Sequence, residues 1–199
     1  MSRLSISGML LVVFAGAACG GDSTGPQTDI KNTGDLHFLR LSASAPQLQS
    51  TVVSFYAKKG EDREIRVRFK NGEDYLRFRV FASSLQTRPD GSSFAVGDSV
   101  LITITITDPT KLVADFQPAG LKFSASAPAR LQFEFGEADK DLNGDGAVNT
   151  IDAALIPQIS TWRQETPGGT WVKVNSAVEV EINEVQADIS GFSGYALAY

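Results

Sequence analysis

From Val52 to the end of the chain, apolar residues recur at every second position, and this period of two limits the accessible folds more than any other property of the sequence. Ile65, Val67 and Phe69 alternate with Arg66 and Arg68; after Asn71-Gly72, Leu76, Phe78 and Val80 alternate with Arg77 and Arg79. Successive side chains of a strand point to opposite faces, so this is the pattern of half-buried antiparallel strands joined by a tight turn. Val100 to Thr107 is the cleanest case, with Ile102, Ile104 and Ile106 on one face and Thr103, Thr105 and Thr107 on the other. Leu121 with Phe123, then Leu131, Phe133 and Phe135, continue the pattern. A segment through Trp162, a strand from Trp171, the alternation of Val178, Val180 and Ile182 with Glu179 and Glu181, Val185 to Ile189 and Tyr195 to Tyr199 complete it. A first strand is expected around Leu36 to Leu41, interrupted at Ser42 to Pro46. No long helical period occurs. Short strands about ten residues apart, punctuated by Gly and Pro, predict an all-β fold: an antiparallel, Greek-key, immunoglobulin-like β-sandwich over residues 36–199. Ser42-Ala43-Ser44-Ala45-Pro46 recurs as Ser124-Ala125-Ser126-Ala127-Pro128. Its flanks match poorly, so two similar strand-ending bends explain it better than duplicated halves.

One stretch, Asp139 to Asp152, has a spacing that implies specific chemistry. With Asp141 as position one of a twelve-residue calcium loop, Asn143 is three, Asp145 five, Ala147 seven through its carbonyl, Asn149 nine and Asp152 twelve. Gly146 falls at six, where the chain must turn sharply. A hard cation takes six to eight oxygens, and alternate residues of a tight loop aim theirs at one centre. The bland reading is an Asx-rich surface turn, since Asp, Asn and Gly also dominate ordinary loops. The loop would be an insertion between two strands, where bound Ca2+ offsets clustered carboxylates and rigidifies the chain.

The pattern Asp141-x-Asn143-x-Asp145-Gly146-x-Val148-Asn149-x-x-Asp152 resembles the loop of dockerin modules, an EF-hand variant closed by Asp. Dockerins carry two loops, each followed by a helix. Here there is one loop, a strand-like segment from Arg130 to Phe135 precedes it, and Pro157 limits the following helix to little more than a turn. Downstream of Pro118, a second resemblance rests on Pro118-Ala119-Gly120-Leu121, Phe123, Ala127-Pro128, Leu131, Trp162, Gly169-x-Trp171 and Phe192-Ser193-x-Tyr195. Together they resemble the ZU-five type β-domain of ankyrins and netrin receptors, which implies a β-sandwich binding module. Some relatives cleave themselves at His-Phe-Ser; here Gly191 precedes Phe192-Ser193, so the base that would activate the serine is missing.

Residues 1–18 read as an export signal: Arg3 supplies the positive end and Met9 to Ala18 an apolar run too short to span a bilayer. Gly16-Ala17-Ala18-Cys19 resembles the lipobox of bacterial lipoproteins, with Gly16 where Leu is usual, and implies lipidation of Cys19. The alternative is an ordinary cut near Ala18. Cys19 is the only cysteine, so no disulfide forms within the chain. Residues 19–35 are rich in Gly, Ser, Thr, Pro, Asp and Asn, the composition of a flexible tether. The part after the signal, about 180 residues, can bury a substantial core. The formal net charge of −5 argues against a nucleic-acid partner, and the arginines from Arg63 to Arg79 read as a solvated strand face.

His37 is the sole histidine, no second His or Cys accompanies it for zinc, and neither a nucleophile elbow nor a Gly-rich phosphate loop is present. The expectation is a non-catalytic exported lipoprotein, membrane-anchored through Cys19 in the bacterial outer membrane or at the cell surface. It would bind Ca2+ and act as a structural or adhesive β-module toward a surface protein or glycan. The alternative is a carbohydrate-binding module in which Trp162 or Trp171 is exposed and stacks on a sugar. An accessory hydrolase or self-cleaving domain is a more distant reading.

Overall fold

The computed structural model describes residues 29–199; the expected signal (1–18), Cys19 and the tether up to residue 28 lie outside the described residues. Strands follow one another as β1 (Ile30–Lys31), β2 (Val52–Lys58), β3 (Arg63–Arg68), β4 (Asp74–Val80), β5 (Leu85–Thr87), β6 (Ser99–Thr105), β7 (Val113–Gln117), β8 (Lys122–Phe123) and β9 (Ala129–Glu134). A short helix, α1 (Thr150–Leu155), precedes β10 (Ser160–Gln164), β11 (Trp171–Lys173), β12 (Ser176–Glu179), β13 (Glu184–Ile189) and β14 (Gly194–Ala198). A seven-stranded antiparallel sheet runs in the order β1-β11-β10-β14-β7-β6-β2, and a five-stranded one in the order β12-β13-β9-β4-β3. β5 and β8 form a small two-stranded sheet. The fold is an all-β sandwich, as the alternation predicts.

The inner faces carry the expected residues. Val67, Phe69, Leu76, Phe78 and Val80 from the five-stranded sheet meet Ile102, Ile104, Phe116, Tyr195 and Leu197 from the other, and all are buried. Phe78 lies at the centre, its ring 5.2 Å from Phe116, 5.6 Å from Phe192, 6.2 Å from Phe123 and 6.3 Å from Phe55. Aromatic pairs at these separations add to simple burial. Gly72, at φ +96°, makes the β3–β4 turn that Asn71-Gly72 announces. Both copies of Ser-Ala-Ser-Ala-Pro form one kind of bend: Ala45 N donates to Ser42 O at 3.0 Å, and Ala127 N to Ser124 O at 3.1 Å.

Three segments depart from expectation. Residues 37–41 do not form a continuous strand but make isolated bridges, Phe38 to Ala198, Arg40 to Lys111 and Leu41 to Ala138. Leu39 N donates to Leu197 O and Leu112 N to Leu39 O, both at 3.0 Å, so the segment closes the gap where β14 and the start of β7 diverge. The tether ends earlier than composition suggests, because Ile30 and Lys31 pair with Val172 and Trp171. Backbone bonds to an open edge need no apolar side chains, and composition does not register them. The third departure is at Val180–Ile182, a 3-10 turn in which Val180 and Ile182 are exposed. Glu179 pairs with Glu184, so the chain reverses there through Asn183, at φ 54°, instead of extending β12.

Candidate metal centre

The loop at 139–152 is rooted on both sides. β9 delivers the chain to Phe135, after which Ser42 N donates to Glu137 O and Asp139 N to Arg40 O, each at 2.9 Å. Leu142 packs against the main core, and its carbonyl accepts a hydrogen bond from the Tyr199 hydroxyl. Beyond α1, a 3-10 turn at Ile156–Gln158 contains Pro157, and Ile159 returns the chain to the core. Pro157 stops the helix after six residues for the reason anticipated, since it cannot donate to the preceding turn.

Within the loop, Asp141 is the hub. Its Oδ1 accepts from Gly144 N (2.9 Å) and Asp145 N (3.1 Å), and its Oδ2 from Gly146 N (2.7 Å). Wrapping three consecutive N–H groups around one carboxylate requires a tight reversal, and Gly144 and Gly146 supply it at φ +73° and +87°. Nothing lies near the place a Cβ on Gly146 would occupy, so backbone conformation and not space demands glycine there. Asp152 closes the loop: Oδ1 accepts from Asn143 N (3.1 Å) and Oδ2 from Asn149 N (2.8 Å). These backbone donors, Asn149 first and then Asn143, hold the Asp152 carboxyl below the usual carboxylate range. Asn149 caps α1, its Oδ1 accepting from Ile151 N at 2.7 Å, and forms a reciprocal capping box with Asp152.

The donor set suits a hard divalent cation in kind: carboxylates at Asp141, Asp145 and Asp152, an amide oxygen at Asn143, and the Ala147 carbonyl. Positions one and twelve of the spacing are joined through the backbone of position three, since Asp152 holds Asn143 N. Among the described residues, however, no three His, Cys, Asp or Glu side chains are gathered into a metal-holding group. The carboxylates are turned onto backbone N–H groups, and amide hydrogens answer two of the remaining oxygens. Asn143 Nδ2 donates to Asp145 Oδ2 (3.0 Å), and Asn149 Nδ2 to Ala147 O (3.1 Å). Asn149, at position nine, commits its oxygen to capping α1, and that position commonly reaches an ion through water. A cavity of about 450 Å³ borders the loop, and Asp139, Asp141, Arg40, Lys111 and His37 are among its lining residues. His37 stacks on Tyr199, centroids 5.2 Å apart.

The two tryptophans are not platforms. Trp162 is 2% exposed and Trp171 5%, and both belong to a second apolar cluster with Leu36, Ala196 and Ala198 on the outer side of the seven-stranded sheet. The indole N–H of Trp162 donates to Ala198 O (3.1 Å) and that of Trp171 to Thr33 Oγ1 (3.2 Å). Lys31 and Lys173 lie over the Trp162 ring at 5.6 and 6.0 Å. The segment 29–38 covers this face, which is why stacking positions became core. Trp171 still borders an apolar groove of about 460 Å³ with Phe38, Pro167 and Gln164. Ser193 is buried, and its Oγ accepts from Arg163 Nε at 2.9 Å.

A second acidic cluster lies on the outer face of the five-stranded sheet, and the sequence reading does not single it out. Glu134 and Glu184 stand directly opposite each other on β9 and β13. The Arg77 guanidinium donates to both, and Gln132 Nε2 to Glu184 Oε1 at 2.5 Å. Burial first, and the Glu184 charge second, push Glu134 up to about 7. Comparison with known proteins found no matching family model, no similar curated protein and no similar solved structure.

Proposed function

We propose that this chain is an exported, lipid-anchored β-sandwich without catalytic activity, in which residues 139–152 bind a calcium ion that braces the fold. The observation that carries the reading is the Asp141 carboxylate enclosed by the N–H groups of Gly144, Asp145 and Gly146, in a loop closed by Asp152. A chain so wound needs only side-chain rotations at Asn143, Asp145 and Asn149 to exchange amide hydrogens for a cation. The role is structural because the loop is tied to the sandwich at both ends of the described chain, through Arg40, Ser42 and Tyr199. Held at a membrane by Cys19, such a module would present its loops and outer faces to a surface protein or glycan.

The test is thermal unfolding of the purified protein in chelator, in calcium and in magnesium. Calcium at ten times its dissociation constant stabilises by roughly 1.4 kcal/mol, a rise of about 3–5 °C for a domain of this size. Asp145→Ala should abolish the rise while leaving the melting point in chelator nearly unchanged. No calcium-selective rise in the parent protein would reduce the segment to a hydrogen-bonded turn. A glycan-binding reading keeps one support, the groove that Trp171 borders with Phe38 and Gln164; a tryptophan emission change on glycan titration would favour it.

A further inference from the structure

The two larger sheets end in four edges, and one of them is unguarded. β1 is two residues long, β12 is four and carries Glu179, and β3 bears Arg63, Glu64, Arg66 and Arg68 among its six residues. Short length and charge are the usual means of keeping an edge from pairing. β2 has little of either: it is seven residues long, and its one charge is Lys58 at the very end, for from Gln49 to Ala57 there is no charge, proline or glycine. Its neighbour β6 carries no charge.

The backbone of β2 shows what could pair there. Ile106 N donates to Thr51 O and Lys59 N to Asp98 O, both at 2.8 Å, so odd-numbered residues turn their polar groups toward β6. Even-numbered residues therefore turn theirs to the free edge. Val52 is already engaged, since Ser50 Oγ bonds both its N–H (3.2 Å) and its carbonyl (2.6 Å). The Lys58 carbonyl accepts from Glu61 N at 3.1 Å. What is left without a partner among the described residues is the N–H and C=O of Ser54 and of Tyr56 and the N–H of Lys58.

We propose that a second copy of this chain docks here, β2 against β2 and antiparallel, with a two-fold axis at Phe55. In that register Ser54 of each copy faces Tyr56 of the other, and each pair exchanges two hydrogen bonds. The free groups of Ser54 and Tyr56 are then satisfied, the Lys58 N–H faces the Val52 carbonyl of the other copy, and the engaged Val52 N–H faces the engaged Lys58 carbonyl, so that no free N–H meets another donor. The charges agree. Lys58 falls opposite Val52, and the two Lys58 side chains stand six residues apart along the ladder, about 20 Å, or two screening lengths. The contact also covers apolar surface: Tyr56 is 67% exposed, and its cross-strand partner Leu101 is 46% exposed. Half-buried Val53 and Phe55 lie on the other face of the strand. The seven-stranded sheet would run continuously through both molecules.

Sedimentation equilibrium across a concentration series up to about 1 mM, the range in which small interfaces associate, tests the proposal. The mass should rise toward twice that of the monomer and stop there, because a two-fold contact closes. Hydrogen exchange at Ser54 and Tyr56 should slow as concentration rises. Ser54→Pro removes a donor that points away from β6, and Tyr56→Lys alters a side chain at the surface. Each should weaken association by about tenfold or more, with the melting point held within a few degrees. A protein monomeric throughout, with Ser54 and Tyr56 exchanging freely, would overturn the proposal and leave the edge to a strand from another protein. A dimer insensitive to both variants, or growth beyond two copies, would overturn it as well.

Discussion

Replacing Glu134 by Gln should make the protein more stable at neutral pH, although it removes one partner of an ion pair. Glu134 and Glu184 are neighbours across β9 and β13, with one guanidinium, Arg77, donating to both, and Glu184 is 2% exposed. Two carboxylates that share one cation at a partly buried site do not ionise independently. Raising Glu134 from its ordinary 4.5 to about 7 means that the folded chain holds a proton which the unfolded chain releases in that window. Stability therefore falls as pH rises through it, by at most about 3 kcal/mol at 1.36 kcal/mol per pH unit. Gln keeps the acceptor for Arg77 and offers Glu184 a hydrogen bond in place of a charge. The variant should match the parent near pH 4 and exceed it at pH 8 by as much as about 6–10 °C in melting temperature. Urea or thermal unfolding from pH 4 to 8 measures this. A gap that does not change with pH, or a parent more stable than the variant at pH 8, would refute the reasoning.

Three further outcomes are expected. Tyr75→Phe removes a buried hydroxyl that donates to Lys111 O (2.7 Å) and accepts from Val113 N (2.9 Å), leaving both unsatisfied; a loss of about 1–3 kcal/mol should appear in urea unfolding. Asn149→Ala removes the cap of α1 and should cost about 1 kcal/mol, read as a lower melting point in chelator. The same loop carries an acid limb: Asp152 is held low in the fold, so its contribution is present above the unfolded carboxylate range and disappears as pH falls through the folded value. Asp152→Asn should flatten that limb.

The inward half of each strand was legible because burial imposes its own period: Ile102, Ile104 and Ile106 all point into the core, and the Arg66 and Arg77 side chains lie outside, ion-paired with Asp74 and other carboxylates. Turn positions were legible for a different reason, since Gly72 and Gly146 occupy positive φ that few other residues tolerate. Pairing across the sheets was not. Glu134 and Glu184 are fifty residues apart, and nothing local to either tells that β13 lies beside β9. Trp162 and Trp171 alternate as an outward face should; only the segment 29–38 lying over them turns that face into core. In the acidic loop the spacing announced the winding around Asp141, while the rotations that turn Asn143 Nδ2 onto Asp145 and Asn149 Nδ2 onto Ala147 O have no local sequence signal.

β14, the last strand along the described chain, sits in the middle of the seven-stranded sheet, with β10 on one side and β7 on the other. Before residues 194–198 are synthesised, the other strands of that sheet form two parts that are not paired with each other, β1-β11-β10 and β7-β6-β2. Leu39 N and Leu112 O likewise gain their partner only with Leu197. The seven-stranded sheet of a nascent chain therefore stays in two parts until β14 joins them, whereas every strand of the five-stranded sheet precedes β14 in the chain.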